Sequence, residues 1–153
     1  MATIHIISIG KLKDKSVLSL ESDYLKRFSD PKVVIHECKA HAENIDVEMK
    51  EINQKIKQLE KNRSLKTFIM TEHGKTYPST EFSQLFFSHL ENAKDVAFVI
   101  GGAAGFSKEF LSLNRNHVSL SPMTFPHRLA RLLLIEQIYR AYTINKGHPY
   151  HKD

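Results

Sequence analysis

Three stretches of this chain carry residue types suited to chemistry. The first is Gly101-Gly102-Ala103-Ala104-Gly105, which follows an apolar run and precedes a helical pattern. Its glycines let backbone approach a ligand closely, and the N–H groups opening the next helix can face a negative group. It is not the Gly-x-Gly-x-x-Gly fingerprint, which belongs after the first strand, and it lacks the Lys-Ser/Thr of a phosphate loop. NAD and ATP therefore fit it poorly, and a plain strand-to-helix turn is the alternative. The second stretch is Leu120-Ser121-Pro122-Met123-Thr124-Phe125-Pro126-His127. Two prolines, a phenylalanine, a histidine and a methionine are more than a simple connector needs. Arg128 and Arg131 follow it, three residues apart, and are expected to face an anionic substrate; an ordinary helix surface is the alternative. The third is the tail, 145–153, with His148, Tyr150 and His151 as bases, stackers or metal ligands. A His-x-x-His spacing alone is weak evidence for a metal, and no metal site is expected. No Ser/His/Asp set or paired carboxylates are evident. An enzyme built from these parts works by positioning a reactive cofactor.

The elements that must hold these stretches follow from hydrophobic pattern. Residues 3–9, 32–38, 65–71, 95–100 and 116–120 read as strands, several of them apolar on both faces. Between them, 16–28, 46–62, 79–90 and 107–113 read as helices. Val17, Leu20, Tyr24 and Phe28 face inward in the first, Val47, Ile52, Ile56 and Leu59 in the second, and Phe82, Leu85, Phe86 and Leu90 in the third. Ser107 is placed to cap the fourth. Strands alternating with helices give an α/β fold, a mainly parallel sheet flanked by helices on both faces. Residues 1–153 read as a single domain with no linker, repeat or low-complexity segment. Lys11-Leu12-Lys13-Asp14-Lys15 reads as a solvated loop, although it follows the carboxyl end of the first strand, where α/β proteins place ligands.

The last helix, from His127, is apolar almost all round. At 100° per residue Leu129, Leu133 and Ile144 lie on one side, and Leu134, Ile138 and Ala141 roughly opposite. Such a helix needs covering on two sides, either inside one chain's core or by a second subunit.

The chain has 153 residues, 41% of them hydrophobic and 25% charged, which is a globular composition. No apolar run is long enough to span a membrane, and the N-terminus lacks a signal-peptide pattern, so the cytoplasm is expected. The one cysteine, Cys38, rules out an intrachain disulfide and a thiolate zinc cluster; it is expected to be a buried structural thiol. A net charge of +5, with nine histidines uncounted, favours an anionic partner, nucleic acid first.

Phe98-Val99-Ile100-Gly101-Gly102-Ala103-Ala104-Gly105, the block from Leu120 to His127 with Leu133 and Ile135-Glu136-Gln137-Ile138-Tyr139-Arg140-Ala141, and Pro149-Tyr150-His151-Lys152 together resemble the RlmH family of SPOUT methyltransferases. Gly10-Lys11-Leu12-Lys13 and Tyr24-Leu25-Lys26-Arg27 resemble its first βα unit, so the likeness covers the whole chain. The resemblance implies methylation at N3 of a pseudouridine in 23S ribosomal RNA of the large subunit, within the assembled ribosome. It implies S-adenosylmethionine as methyl donor, a homodimer, and a SPOUT-type α/β knot, a C-terminal trefoil, which general topology rules do not suggest. The donor site it implies comprises Met70, Gly101, Gly102, Gly105, Leu120, Ser121, Pro122, Met123, Thr124 and Phe125. Tyr150 and His151 would act near the donor methyl, from the same or the other subunit, and His127 and Arg128 would bind phosphate or orient the base. The family commonly has Leu-Asp or Leu-Glu after the third strand; this chain has Met70-Thr71, and Ala103 and Ala104 offer no polar side chain. Two other readings stay open: a SPOUT-like enzyme with another RNA target such as tRNA, and a non-catalytic RNA-binding dimer.

Overall fold

A computed structural model describes residues 2–42 and 44–152. Met1, Glu43 and Asp153 lie outside the described residues, so the domain span, the 39–44 connection and the tail are followed only as far as these allow. Five strands, β1 (Thr3–Ile9), β2 (Lys32–Cys38), β3 (Leu65–Thr76), β4 (Asp95–Ile100) and β5 (His117–Ser119), form one sheet in the order β2-β1-β4-β3-β5. Every strand pair is parallel. Five helices alternate with them: α1 (Lys15–Leu25), α2 (Ile45–Glu60), α3 (Ser79–Glu91), α4 (Lys108–Leu113) and α5 (His127–Lys146). The expected α/β alternation is the observed one.

Alternation along the strands divides the core into two layers. On one face Ile4, Ile6, Phe68, Phe98 and Ile100 meet Phe82 and Phe86 of α3 and Leu134, Ile135 and Ile138 of α5. On the other, Ile7, Ile9, Ile69, Ala97 and Val99 meet Met49, Ile52 and Ile56 of α2 and Phe110 of α4. Cys38 belongs to the second layer, and burial pushes its thiol pKa up. Because both faces are covered, β4 is buried at all its positions and β1 at all but Thr3.

Local chemistry sets the helix ends. Asp14 accepts from the N–H groups of Ser16 and Val17 and starts α1, and Ser107 accepts from the Phe110 N–H and starts α4, as its sequence position suggested. Gly147 stops α5 in the left-handed region at φ 72°.

Several boundaries and faces differ from expectation. Helix α1 ends at Leu25, and Leu20 is 49% exposed, because the inward position one residue on holds Glu21, paired with an arginine. In α2, Val47 is only half-buried, while Glu48 and Met49 are buried. Strand β3 continues past Thr71 to Thr76: Met70 and Lys75 both pair with Val118, so 71–74 bulge out of the ladder. A side chain at Gly74 would put its Cβ 2.7 Å from the Val118 nitrogen, so the bulge needs glycine there.

Helix α5 is not apolar on a free surface all round. It lies between α1 and α3, and Leu134, Ile138 and Ala141 are fully buried within the chain. Its outward apolar residues are Leu129 and Leu133, 39% and 41% exposed.

Candidate active site

Two cavities meet at the carboxyl end of the sheet, separated by Gly101. Chain direction puts them there. After β1 the chain turns through Gly10 toward α1 and β2, and after β4 it turns through Gly101 toward α4 and β5. Neighbouring strands whose connections diverge leave a crevice at their carboxyl ends.

The larger cavity has a volume of about 810 Å³ and is walled by the ends of β3 and β4, the glycine loop and the 120–127 loop. That lies within the range of small-molecule sites. Met70, Gly101, Gly102, Gly105, Leu120, Ser121, Met123, Thr124 and Phe125 all line it, so the structure gathers the residues singled out for the donor site except Pro122, which is exposed. The loop holds its own shape: Ser119 Oγ donates to the Ser121 carbonyl at 2.7 Å, and the Met123 N–H donates to Ser121 Oγ at 3.0 Å. Gly101 is buried, and a Cβ there would stand 3.1 Å from the Gly105 carbonyl oxygen. Thr71, already noted as a departure from the family pattern, lines the cavity too, as do Glu72 and His73 of the bulge, which sequence reading missed. Their only signal was polarity directly after an apolar strand.

The smaller cavity, about 490 Å³, lies between the 10–14 loop and the start of α5. Ile100, Gly101, Pro126 and His127 belong to both cavities. Arg128 lines the smaller one, half-exposed, with Nη1 3.3 Å from Asp14 Oδ2.

Arg131 is not available to a substrate as expected. Its side chain is 7% exposed, with Nε 2.8 Å from Glu21 Oε2 and Nη1 2.7 Å from Glu37 Oε2. Nη2 donates to Glu21 Oε1 at 2.9 Å. Burial alone would lower its pKa, but hydrogen bonds from its guanidinium to the two carboxylates raise it. Burial likewise favours a neutral Glu37, yet the Leu12 N–H and Arg131 outweigh it and hold the carboxyl below its usual range. The guanidinium therefore ties the 10–14 loop, α1 and α5 together beneath the cavity. Pattern reading places charged residues outward, and two buried carboxylates supplied by distant elements are invisible to it.

Tyr150 and His151 line neither cavity of their own chain. The Tyr150 ring meets the Tyr139 ring edge-on at 4.9 Å, and the Arg140 guanidinium lies 4.9 Å from its centroid. His151 Nδ1 is 3.1 Å from Arg140 Nη1. Burial first, then a hydrogen bond with Tyr24, push the Tyr150 phenol up to about 12, so it keeps its proton at neutral pH. Tyr139 is some twelve residues along α5 from His127, roughly 18 Å of helix rise.

Two solved structures share this fold. A probable methylase family protein from Haemophilus influenzae superposes at TM-score 0.56, with 11% identity over 99% of this chain and 70% of that one. A probable methyltransferase from Bordetella pertussis superposes at 0.53, with 14% identity over 92% and 96%. The chain belongs to the SPOUT methyltransferase family, whose model, described as a predicted SPOUT methyltransferase, matches residues 2–151. The ribosomal RNA large subunit methyltransferase H of Prochlorococcus marinus is 41% identical over 149 residues, covering 97% of this chain and 94% of that protein. The protein of the same name from Bacillus cytotoxicus is 40% identical over 157 residues, covering 97% and 99%.

Proposed function

We propose that the chain transfers a methyl group from S-adenosylmethionine to N3 of a pseudouridine in 23S ribosomal RNA. It works in the cytoplasm as a homodimer on the assembled ribosome. The observation that carries this reading is the larger cavity, where an accessible glycine backbone and the apolar Met70, Leu120 and Met123 share one wall system. The relatives' printed name supports the substrate class. No helix among the described residues is long and apolar enough to cross a membrane.

The residues present fit the donor. The glycine loop brings backbone, not side chains, to the methionine portion, and Met70, Leu120 and Met123 offer an apolar bed for adenine. The donor supplies an electrophilic methyl on a sulfonium. As the imide nitrogen takes that methyl, its proton must pass to an acceptor, and a neutral imidazole suits that task near neutral pH. His151 is the acceptor and the Tyr150 ring holds the base, both delivered by the second protomer, since their own chain keeps them at the far end of α5. His127 and Arg128 orient the nucleotide. Alignment supplies much of the rate, up to about 7–11 kcal/mol in well-oriented reactions. The trefoil knot is part of the same proposal: α5 returns from the β5 edge to pack between α3 and α1, a path in keeping with threading.

Calorimetry with S-adenosylmethionine on the wild type and Gly101→Val tests the donor site. Saturable heat is expected from the wild type alone, with both proteins folded by circular dichroism. No heat from the wild type, or equal heat from both, contradicts it.

A further inference from the structure

The smaller cavity carries two lysines, Lys11 and Lys13, that the proposed chemistry leaves unused. It opens at the β1/β4 crevice, and Lys11, Lys13 and Arg128 stand around it. Its carboxylates are already engaged. Asp14 Oδ1 accepts from the Ser16 and Val17 N–H groups at 2.9 and 3.2 Å, and its Oδ2 faces Arg128. Glu37 accepts from the Leu12 N–H at 2.9 Å and pairs with Arg131, and Lys11 adds to the positive field that lowers its pKa. Glu21 is buried against Arg131. Among the described residues Lys11 and Lys13 enter no ion pair and no side-chain hydrogen bond, and both are exposed.

Helix α5 adds its dipole. Pro126 occupies the N-cap position, so no side chain caps the helix. The Leu129 and Ala130 N–H groups reach the Pro126 carbonyl at 3.0 Å, which leaves those of His127 and Arg128 directed at the cavity end without a backbone acceptor. Two ammonium groups without an ion-pair partner and an open helix N-terminus around one crevice, beside the Arg128–Asp14 pair, are complementary to an anion.

We propose that this cavity seats a backbone phosphate of the RNA substrate, held by Lys11, Lys13 and the amides opening α5. The inference rests on the proposed methylation of RNA and names where the strand is gripped. A phosphodiester fits better than free phosphate, because the cations are exposed and sit at a rim open to a passing chain. The shared wall of Ile100, Gly101, Pro126 and His127 puts the seat beside the donor cavity, within reach of a nucleotide whose base lies there. The Arg131 bracket, through Glu37 and the Leu12 N–H, fixes the loop that carries both lysines.

The test uses the full-length protein saturated with S-adenosylmethionine and a fluorescein-labelled oligouridylate RNA, read by anisotropy across a salt series. Lys11→Glu combined with Lys13→Glu should weaken RNA binding by about tenfold or more at low salt and flatten the log–log salt slope by about 0.7 for each phosphate no longer neutralised. The Gln pair should do the same to a smaller extent. Donor affinity by calorimetry should not change, since neither lysine lines the larger cavity. RNA affinity and slope equal to wild type in the Glu variant would overturn the seat. Failure of the wild type to bind donor would overturn the methylation reading instead. Saturable amide shifts at Gly10 to Leu12 with inorganic phosphate, alongside an RNA affinity indifferent to both lysines, would show a free-anion site and also overturn the proposal.

Discussion

The two ends of α5 are built from similar residue types and arranged in opposite ways. At its start, His127 lines both cavities and Arg128 the smaller one, and the carboxylate paired with Arg128 is the half-exposed Asp14. At its end, Arg140 is held by Glu136 through a 3.0 Å bond from Nε, and stacks on Tyr150. Tyr24, Phe28 and Tyr142 close around Tyr139 there. The pairing at the first end is solvent-exposed, while charge at the second is held more closely by the chain itself. One chain shapes the cavity proposed for the donor but keeps its own tail away from it. A site needing both must draw them from two chains.

The largest expected effect lies under the first end. Arg131→Met strands Glu21, whose side chain is 3% exposed, and should lower unfolding free energy by about 3–5 kcal/mol in denaturant titrations. Arg128→Ala, at the exposed pair, should change it by about 1 kcal/mol at most. Equal midpoints for the two variants would erase the contrast between buried bracket and exposed pair.

At the second end, removing 150–153 should cut single-turnover methyl transfer to ribosomal subunits by about a hundredfold or more. Dimer and donor binding should stay intact, and His151→Ala should lose less. Full activity without the tail would make it an idle end and leave His127 as the candidate base.

A further variant asks what covers the middle of the helix. Leu133→Arg, on the outward side, should turn a dimer into a folded monomer by light scattering. Leu134→Arg should unfold the chain, because Leu134 is fully buried. A wild type that is monomeric at micromolar concentration would sink the dimer.

The smallest effect should come from the other face of the sheet, the one covered by α2. His36 lies 2.9 Å from His5, which in turn contacts Asp95 at 3.0 Å. Burial first, then the fields of His5 and Lys55, lower its pKa from 6.5 to about 4. The unfolded chain therefore binds more protons between these values, so stability rises with pH there. The contribution is fully present above 6.5 and is lost as pH falls toward 4. Tm should drop over that window with methyl transfer by the folded protein unaffected by the His36 substitution, and His36→Gln should flatten the drop. An equal slope in the variant would contradict this.

Much of this was legible in the sequence. The βαβ order, β4 and the Ser107 cap follow from β-branched runs, helical spacing and one serine. The residues around the larger cavity were legible because glycine and proline mark loops at strand ends. The buried charges were not. Glu21, Glu37 and Arg131 come from three elements, and only folding brings them together, so periodicity put Leu20 inward in place of Glu21. The β3 bulge depends on Gly74 passing close to β5, which no local pattern reveals. The tail's own docking partner was hidden for the same reason: Tyr139 and Arg140 look like ordinary helix residues until Tyr150 folds back on them.

The active site proposed above joins one protomer's donor cavity to the other's tail. Its most direct test is a purified mixed dimer, with Gly101→Val in one subunit and residues 150–153 deleted from the other. Each parent homodimer should be inactive in tritium transfer from labelled donor to ribosomal subunits. The mixed dimer should recover about half the wild-type rate, because one of its two symmetric sites then pairs an intact cavity with an intact tail. If the tail serves its own chain, neither site is complete, and the mixed dimer stays as inactive as its parents.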